Sequence, residues 1–325
     1  MPVQPIVQNW ESPAAVLLVH GIGNDTSDDL IPIENELRQV ISNDNGSLSC
    51  YRFSYEFIND WITEKTQVKK VVAKLKNSIS EKLGSTETTN IVTDYLADVI
   101  WPLLSSDIRR AIRKALIQQL QQIVKDGIDS GFPKDTQKIT IMAHSLGCFY
   151  TYEALHYCAT HPDEQLQPAT HGVRLENVIL MASPVQLIRT VASTIKPIIP
   201  EPDDLAALAL PELAFPFEKT FYGTVTPLVK NWYTITGDLD PIGGHLMRRK
   251  LDWAYTAIPP NDGLPPATEV IERQDWCSIN TMDELVEQLK EAITGDEFPK
   301  ISINNPHSWM RYIEHHKQEL EQWFV

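Results

Sequence analysis

The chain has 325 residues, 42% of them hydrophobic, which is enough for a sizeable core, and a formal net charge of −15. An acidic balance of this size argues against a nucleic-acid binder, which presents a basic face to phosphates. No apolar run approaches the roughly 20 residues of a membrane span, and the start, Met1-Pro2-Val3-Gln4-Pro5, lacks a charged and then apolar leader pattern, so the expected compartment is the cytoplasm. Cys50, Cys148, Cys158 and Cys277 form no CxxC pair, which predicts reduced core thiols rather than a disulfide framework or a zinc site. His156, Cys158 and His161 lie close together but match no metal-ligand spacing.

Ala14 to Val19 is a wholly apolar run, the pattern of a strand in a parallel sheet covered on both faces. It leads into His20-Gly21-Ile22-Gly23. Two glycines there either make an ordinary turn or let backbone amides face an open cavity, as a developing oxyanion requires. Asp28 or Asp29 is placed to cap a helix bearing Leu30, Ile33, Leu37 and Ile41. Ser49 to Tyr55 then reads as the next strand. Residues 56–104 read as an insertion with an amphipathic helix whose outer face carries Lys65, Lys69, Lys70, Lys74, Lys76 and Lys82. That face is read as solvated in preference to docked on an anionic membrane surface. A second long helix is predicted from about Ser105 to Asp126, with Ile108, Ile112, Leu116, Leu120 and Ile123 or Val124 at helical spacing and Gly127 beyond its end.

The chemistry concentrates in Lys138-Ile139-Thr140-Ile141-Met142-Ala143-His144-Ser145-Leu146-Gly147-Cys148. A β-branched run ends in a serine, and a helical pattern follows from Leu146 to about Ala159. A serine at such a turn, with Ala143 and Gly147 small on either side, suits a strained bend that lifts its hydroxyl above a helix N-terminus.

Glu176 to Met181 is a further strand, closed by Ala182-Ser183-Pro184. Residues 185–228 are apolar and proline-rich, too long for a simple connection. They read as a cap over a pocket for an apolar group, with a peripheral helical hairpin as the competing reading. Asn231 to Thr236 is the next strand, and Asp238 and Asp240 lie in its exit loop. Asp240, before Pro241, is the better placed to orient a histidine, while Asp238 organises the turn. Helices are predicted near residues 245–255 and 282–292, with a short strand around residues 269–273. His307 opens a terminal helix running to about Trp323 and is the histidine best placed for proton transfer. His245 is the weaker alternative. His315 and His316 are read as solvated, and His144 as pointing the wrong way to serve as the serine's base.

Taken together, the His20-Gly21-Ile22-Gly23 loop, the Ser145 turn, Ala182-Ser183-Pro184, Asp240-Pro241 and His307-Ser308 resemble the α/β-hydrolase superfamily. Within it the chain looks most like the serine esterase and lipase-like branch that includes GPI inositol-deacylase-like hydrolases, where a similar His-Gly loop and His-Ser-Leu-Gly turn occur. The resemblance implies a mostly parallel central sheet with helices on both faces, in one domain over residues 1–325, with insertions at 56–104 and 185–228. It also implies the order nucleophile, acid, base: Ser145, Asp240 and His307, with an oxyanion hole from the amides of Ile22 and Leu146. The implied activity is hydrolysis of carboxylic esters with an apolar acyl group, without metal or organic cofactor; thioesters, amides and acyl transfer use the same constellation. The alternative from another class is a non-catalytic protein of this fold that binds a small ligand or partner through its insertions.

Overall fold

A computed structural model describes residues 5–21, 30–41, 48–55, 106–160, 175–184, 229–235, 269–271 and 308–324. Among these residues, β1 (Ala14–Val19), β2 (Ser49–Phe53), β3 (Lys138–His144), β4 (Leu175–Met181), β5 (Val229–Ile235) and β6 (Glu269–Ile271) form a six-stranded sheet. The strands lie in the order β2-β1-β3-β4-β5-β6, and every pairing is parallel. The chain is therefore of the α/β class, with a parallel central sheet. Each of the six sequence-predicted strands is found in it, β2 ending two residues earlier than expected.

Side-chain alternation along β1 explains why that strand is apolar throughout. Leu17 and Val19 join one buried cluster, Val16 and Leu18 the other, because successive residues of a strand point to opposite faces. The first cluster is covered by α2 (Ser106–Asp129) and α3 (Leu146–Thr160), through Ile108, Ile112, Leu116, Leu120 and Phe149 among others. Onto the second face pack α1 (Ile31–Ile41), α4 (Trp309–His315) and α5 (Lys317–Trp323), through Ile33, Leu37, Trp309, Ile313 and Leu320.

Two helix ends differ from the sequence reading. Gly127 lies inside α2, where a Cβ would come within 2.6 Å of the Gln137 amide nitrogen. The helix stops instead at Gly131, whose φ of +93° only glycine adopts freely. There Phe132 N–H donates to Gly127 O and Gly131 N–H to Ile128 O, satisfying the last carbonyls. The terminal helix is likewise two helices, α4 and α5, broken at His316 with φ −121° and ψ 25°. His316 was expected to be solvated and is instead 3% exposed. Three residues after Ile313 and four before Leu320, both buried, it lies on the inward face of the helical pair, while His315 is exposed.

The segment leading into β1 is tied to β2 and α2 by a polar network. Asp126, 2% exposed, accepts from Gln8 N–H and the Tyr51 hydroxyl, each at 2.8 Å, and from Gln122 Nε2 at 2.6 Å. Trp10 Nε1 donates in turn to the Tyr51 oxygen. Asp126→Ala removes the acceptor of the buried Tyr51 hydroxyl and of two half-buried donors at once, and equilibrium denaturation is expected to show a loss of about 3 kcal/mol. A loss under about 1 kcal/mol would mean that water replaces the carboxylate there.

Candidate active site

Among the described strands the order reverses between β1 and β3: from β1 the chain goes outward to β2 and then returns to β3 on the other side. In open parallel sheets the crevice outside the strand carboxyl ends at such a point is where ligands bind. At this switch point the ends of the two strands carry His20-Gly21 and His144-Ser145.

Ser145 is the only residue between β3 and α3, and it makes that turn with φ +53°. A left-handed conformation costs an L-residue about 1–2 kcal/mol. It is held by hydrogen bonds at both sides of the peptide unit: Ser145 N–H donates to Met181 O, and its carbonyl accepts from Cys148 N–H, each at 3.0 Å. The side chain sits at the N-terminus of α3, where first-turn amides, Leu146 among them, lack intrahelical acceptors and the helix dipole favours negative charge.

The glycines around it are there because backbone and serine come close. A Cβ on Gly21 would lie 2.8 Å from Ser145 Cβ and 3.2 Å from His144 O. On Gly147 it would lie 2.3 Å from His20 O and 2.8 Å from Val19 O. Gly147, read from the sequence as a small residue suiting the bend, packs against the end of β1. The His20 ring, 8% exposed, reaches Gly21 O from Nδ1 at 2.6 Å. A carbonyl only accepts, so Nδ1 carries the proton and ties the loop to itself.

Ala182, at the end of β4, is a second left-handed residue, with φ +54°, its N–H donating to Ile235 O at 3.0 Å. The sequence placed Ala182 at the close of the strand without indicating its hand. His144 was singled out in the sequence only for its place beside the serine. Its ring stacks on Trp309, with centroids 5.1 Å apart at 29°.

Cys148 is poorly placed to act as a nucleophile. Burial pushes its thiol well above the ordinary range, and Sγ is engaged by Ala143 O and Met181 O. Cys50 and Cys158 are also buried thiols in no disulfide, pushed by burial up to about 12 and about 11. Among the described residues no group of His, Cys, Asp and Glu has the makings of a metal site, and no helix is long and apolar enough to cross a membrane. Ile22, Asp238, Asp240, His245 and His307 lie outside the described residues, as do Cys277, His161, both insertions and the helices expected near 245–255 and 282–292. No protein-family model matches the chain, and no curated protein is significantly similar to it.

Proposed function

We propose that the protein is a serine hydrolase of carboxylic esters on an α/β-hydrolase scaffold, with Ser145 as nucleophile. The observation that carries this reading is the left-handed Ser145, at the strand-to-helix turn of the switch point, pressed against Gly21. A strained L-residue persists only where its surroundings over-determine it, and such residues cluster at functional sites.

In this reading His307 takes the Ser145 proton as Oγ attacks the ester carbonyl, and returns it to the departing alcohol. An acyl-serine remains, which water cleaves by the same proton path. Asp240 orients the imidazole and stabilises its charged form. The amides of Leu146 and Ile22 stabilise the oxyanion, each donor being worth on the order of 3 kcal/mol. Support for His307 comes from its chain neighbours: Ser308 directly follows it and caps α4, whose Trp309 packs on the residue before Ser145. The apolar stretch 185–228 is assigned to cover an acyl chain.

A fluorophosphonate probe is expected to attach to Ser145, with the adduct located by mass spectrometry and absent in Ser145→Ala. With His307 as base, kcat/KM falls as pH drops through about 6.5. A flat profile from about pH 5 to 8 would remove His307 from that role. An unlabelled, well-folded wild type would favour a ligand-binding protein instead.

A further inference from the structure

The polar residue that ends β3 calls for an explanation of its own. His144 is 6% exposed at the end of a strand whose other residues, Thr140 and Lys138 apart, are apolar. Two residues earlier, Met142 belongs to the cluster beneath α4 and α5, so strand alternation turns His144 to the same face. There its ring stacks on Trp309 and meets Tyr312 edge-on, at 6.1 Å and 69°. Trp309 and Tyr312 are three residues apart and share one face of α4. Across the site, a Cβ on Gly21 would come within 3.4 Å of His144 Nδ1.

We infer that His144 is a positioning residue, a brace that seats the first turn of α4 beside Ser145 and thereby sets where the chain carrying His307 emerges. This rests on the serine-hydrolase reading. A bland alternative is a histidine that merely fills the core. What distinguishes the two is what the ring joins. Ser308 is fully buried, its Oγ accepts from Met310 N–H at 3.2 Å, and its carbonyl accepts from Tyr312 N–H at 3.3 Å. The start of α4 is thus a rigid unit attached one residue after His307. The far end of the helical pair has separate moorings: Asn177 Nδ2 donates to Trp323 O at 2.7 Å, and Trp323 stacks on Tyr233 at 3.9 Å. Loss of the His144 ring therefore loosens the near end while the pair stays docked.

The test compares wild type, His144→Ala, His144→Phe and Trp309→Leu, reading kcat and KM on p-nitrophenyl butyrate, the rate of fluorophosphonate attachment to Ser145, and the melting temperature. His144→Ala is expected to lower kcat about 10- to 100-fold, as misplacement of a reacting group by about 1 Å does, with KM within about twofold of wild type. His144→Phe keeps an aromatic ring on Trp309 and is expected to recover most of kcat. Trp309→Leu removes the other half of the contact, reproduces the loss and, combined with His144→Ala, adds little to it. Should His144→Ala not fold, Trp309→Leu and His144→Phe carry the same comparison. Wild-type kcat in His144→Ala overturns the inference. So does a His144→Phe as slow as His144→Ala, which would assign the effect to the imidazole itself. A wild type that neither hydrolyses the ester nor labels at Ser145 overturns it differently, by removing the underlying function.

Discussion

Replacing Ser145 is expected to lower kcat by about 10⁵- to 10⁶-fold, the size seen when a nucleophilic serine is lost. Ala and Gly should be equally inactive, since neither has a hydroxyl, yet they should differ in stability. The turn holds residue 145 at φ +53°, a conformation that costs alanine about 1–2 kcal/mol and glycine almost nothing. Glycine returns part of this through its freer unfolded chain, about 0.4–1 kcal/mol. Ser145→Gly should therefore exceed Ser145→Ala in denaturant stability by about 0.5–1 kcal/mol. Steady-state kinetics and urea titration of both variants check the two halves separately. Residual activity near wild type would exclude Ser145 as nucleophile. An alanine variant more stable than the glycine variant would mean that the left-handed turn is not kept in solution.

What keeps it is a repeated device along the carboxyl edge of the sheet. The residue following β1, His20, donates its N–H to Phe53 O, the last residue of β2; Ser145 does the same to Met181 at the end of β4, and Ala182 to Ile235 at the end of β5. Each strand's exit is tied to its neighbour's final carbonyl. Of these three exits, those at Ser145 and Ala182 are left-handed, so strain and tether coincide on adjacent strands. The packing of Gly21 and Gly147 against the same edge leaves little room for the turn to relax.

Much of this framework is legible in the sequence because it depends on local periodicity. Apolar runs such as Ala14–Val19 mark strands covered on both faces, and the spacing from Ile108 to Ile123 marks the buried stripe of α2. Features set by tertiary approach are less legible. Gly127 was expected just beyond a helix end, and only the contact with Gln137 shows why it is interior. Alanine is no marker of left-handed backbone, so Ala182 gave no sign of its φ. The break at His316 is hidden because an apolar spacing runs on from Ile313 to Leu320 across it. In the candidate site, the serine turn and its small neighbours were legible as a motif, whereas the stack of His144 on Trp309 joins residues 165 positions apart in the chain.

Gly147→Ala is the substitution expected to damage the fold most for its size. Glycine within the first turn of a helix ordinarily loses to alanine by about 1 kcal/mol, so propensity alone predicts a stabilised protein. Sterics point the other way and are larger. The added methyl would sit 2.3 Å from His20 O, 2.8 Å from Val19 O and 3.0 Å from His20 C, all of them backbone atoms that no rotamer change can move. The end of β1 is also fixed by the His20 N–H bond to Phe53 O. To admit the methyl, α3 must back away from β1, carrying Ser145 with it. Overpacking costs about 1–3 kcal/mol when side chains can adjust, and more when they cannot. The net loss should be about 3 kcal/mol or more, read by urea denaturation, and the fluorophosphonate reaction of whatever folds should slow at least about tenfold as the turn is displaced. A variant as stable and as reactive as wild type would mean that the helix start and β1 stand further apart than the geometry around Gly147 requires.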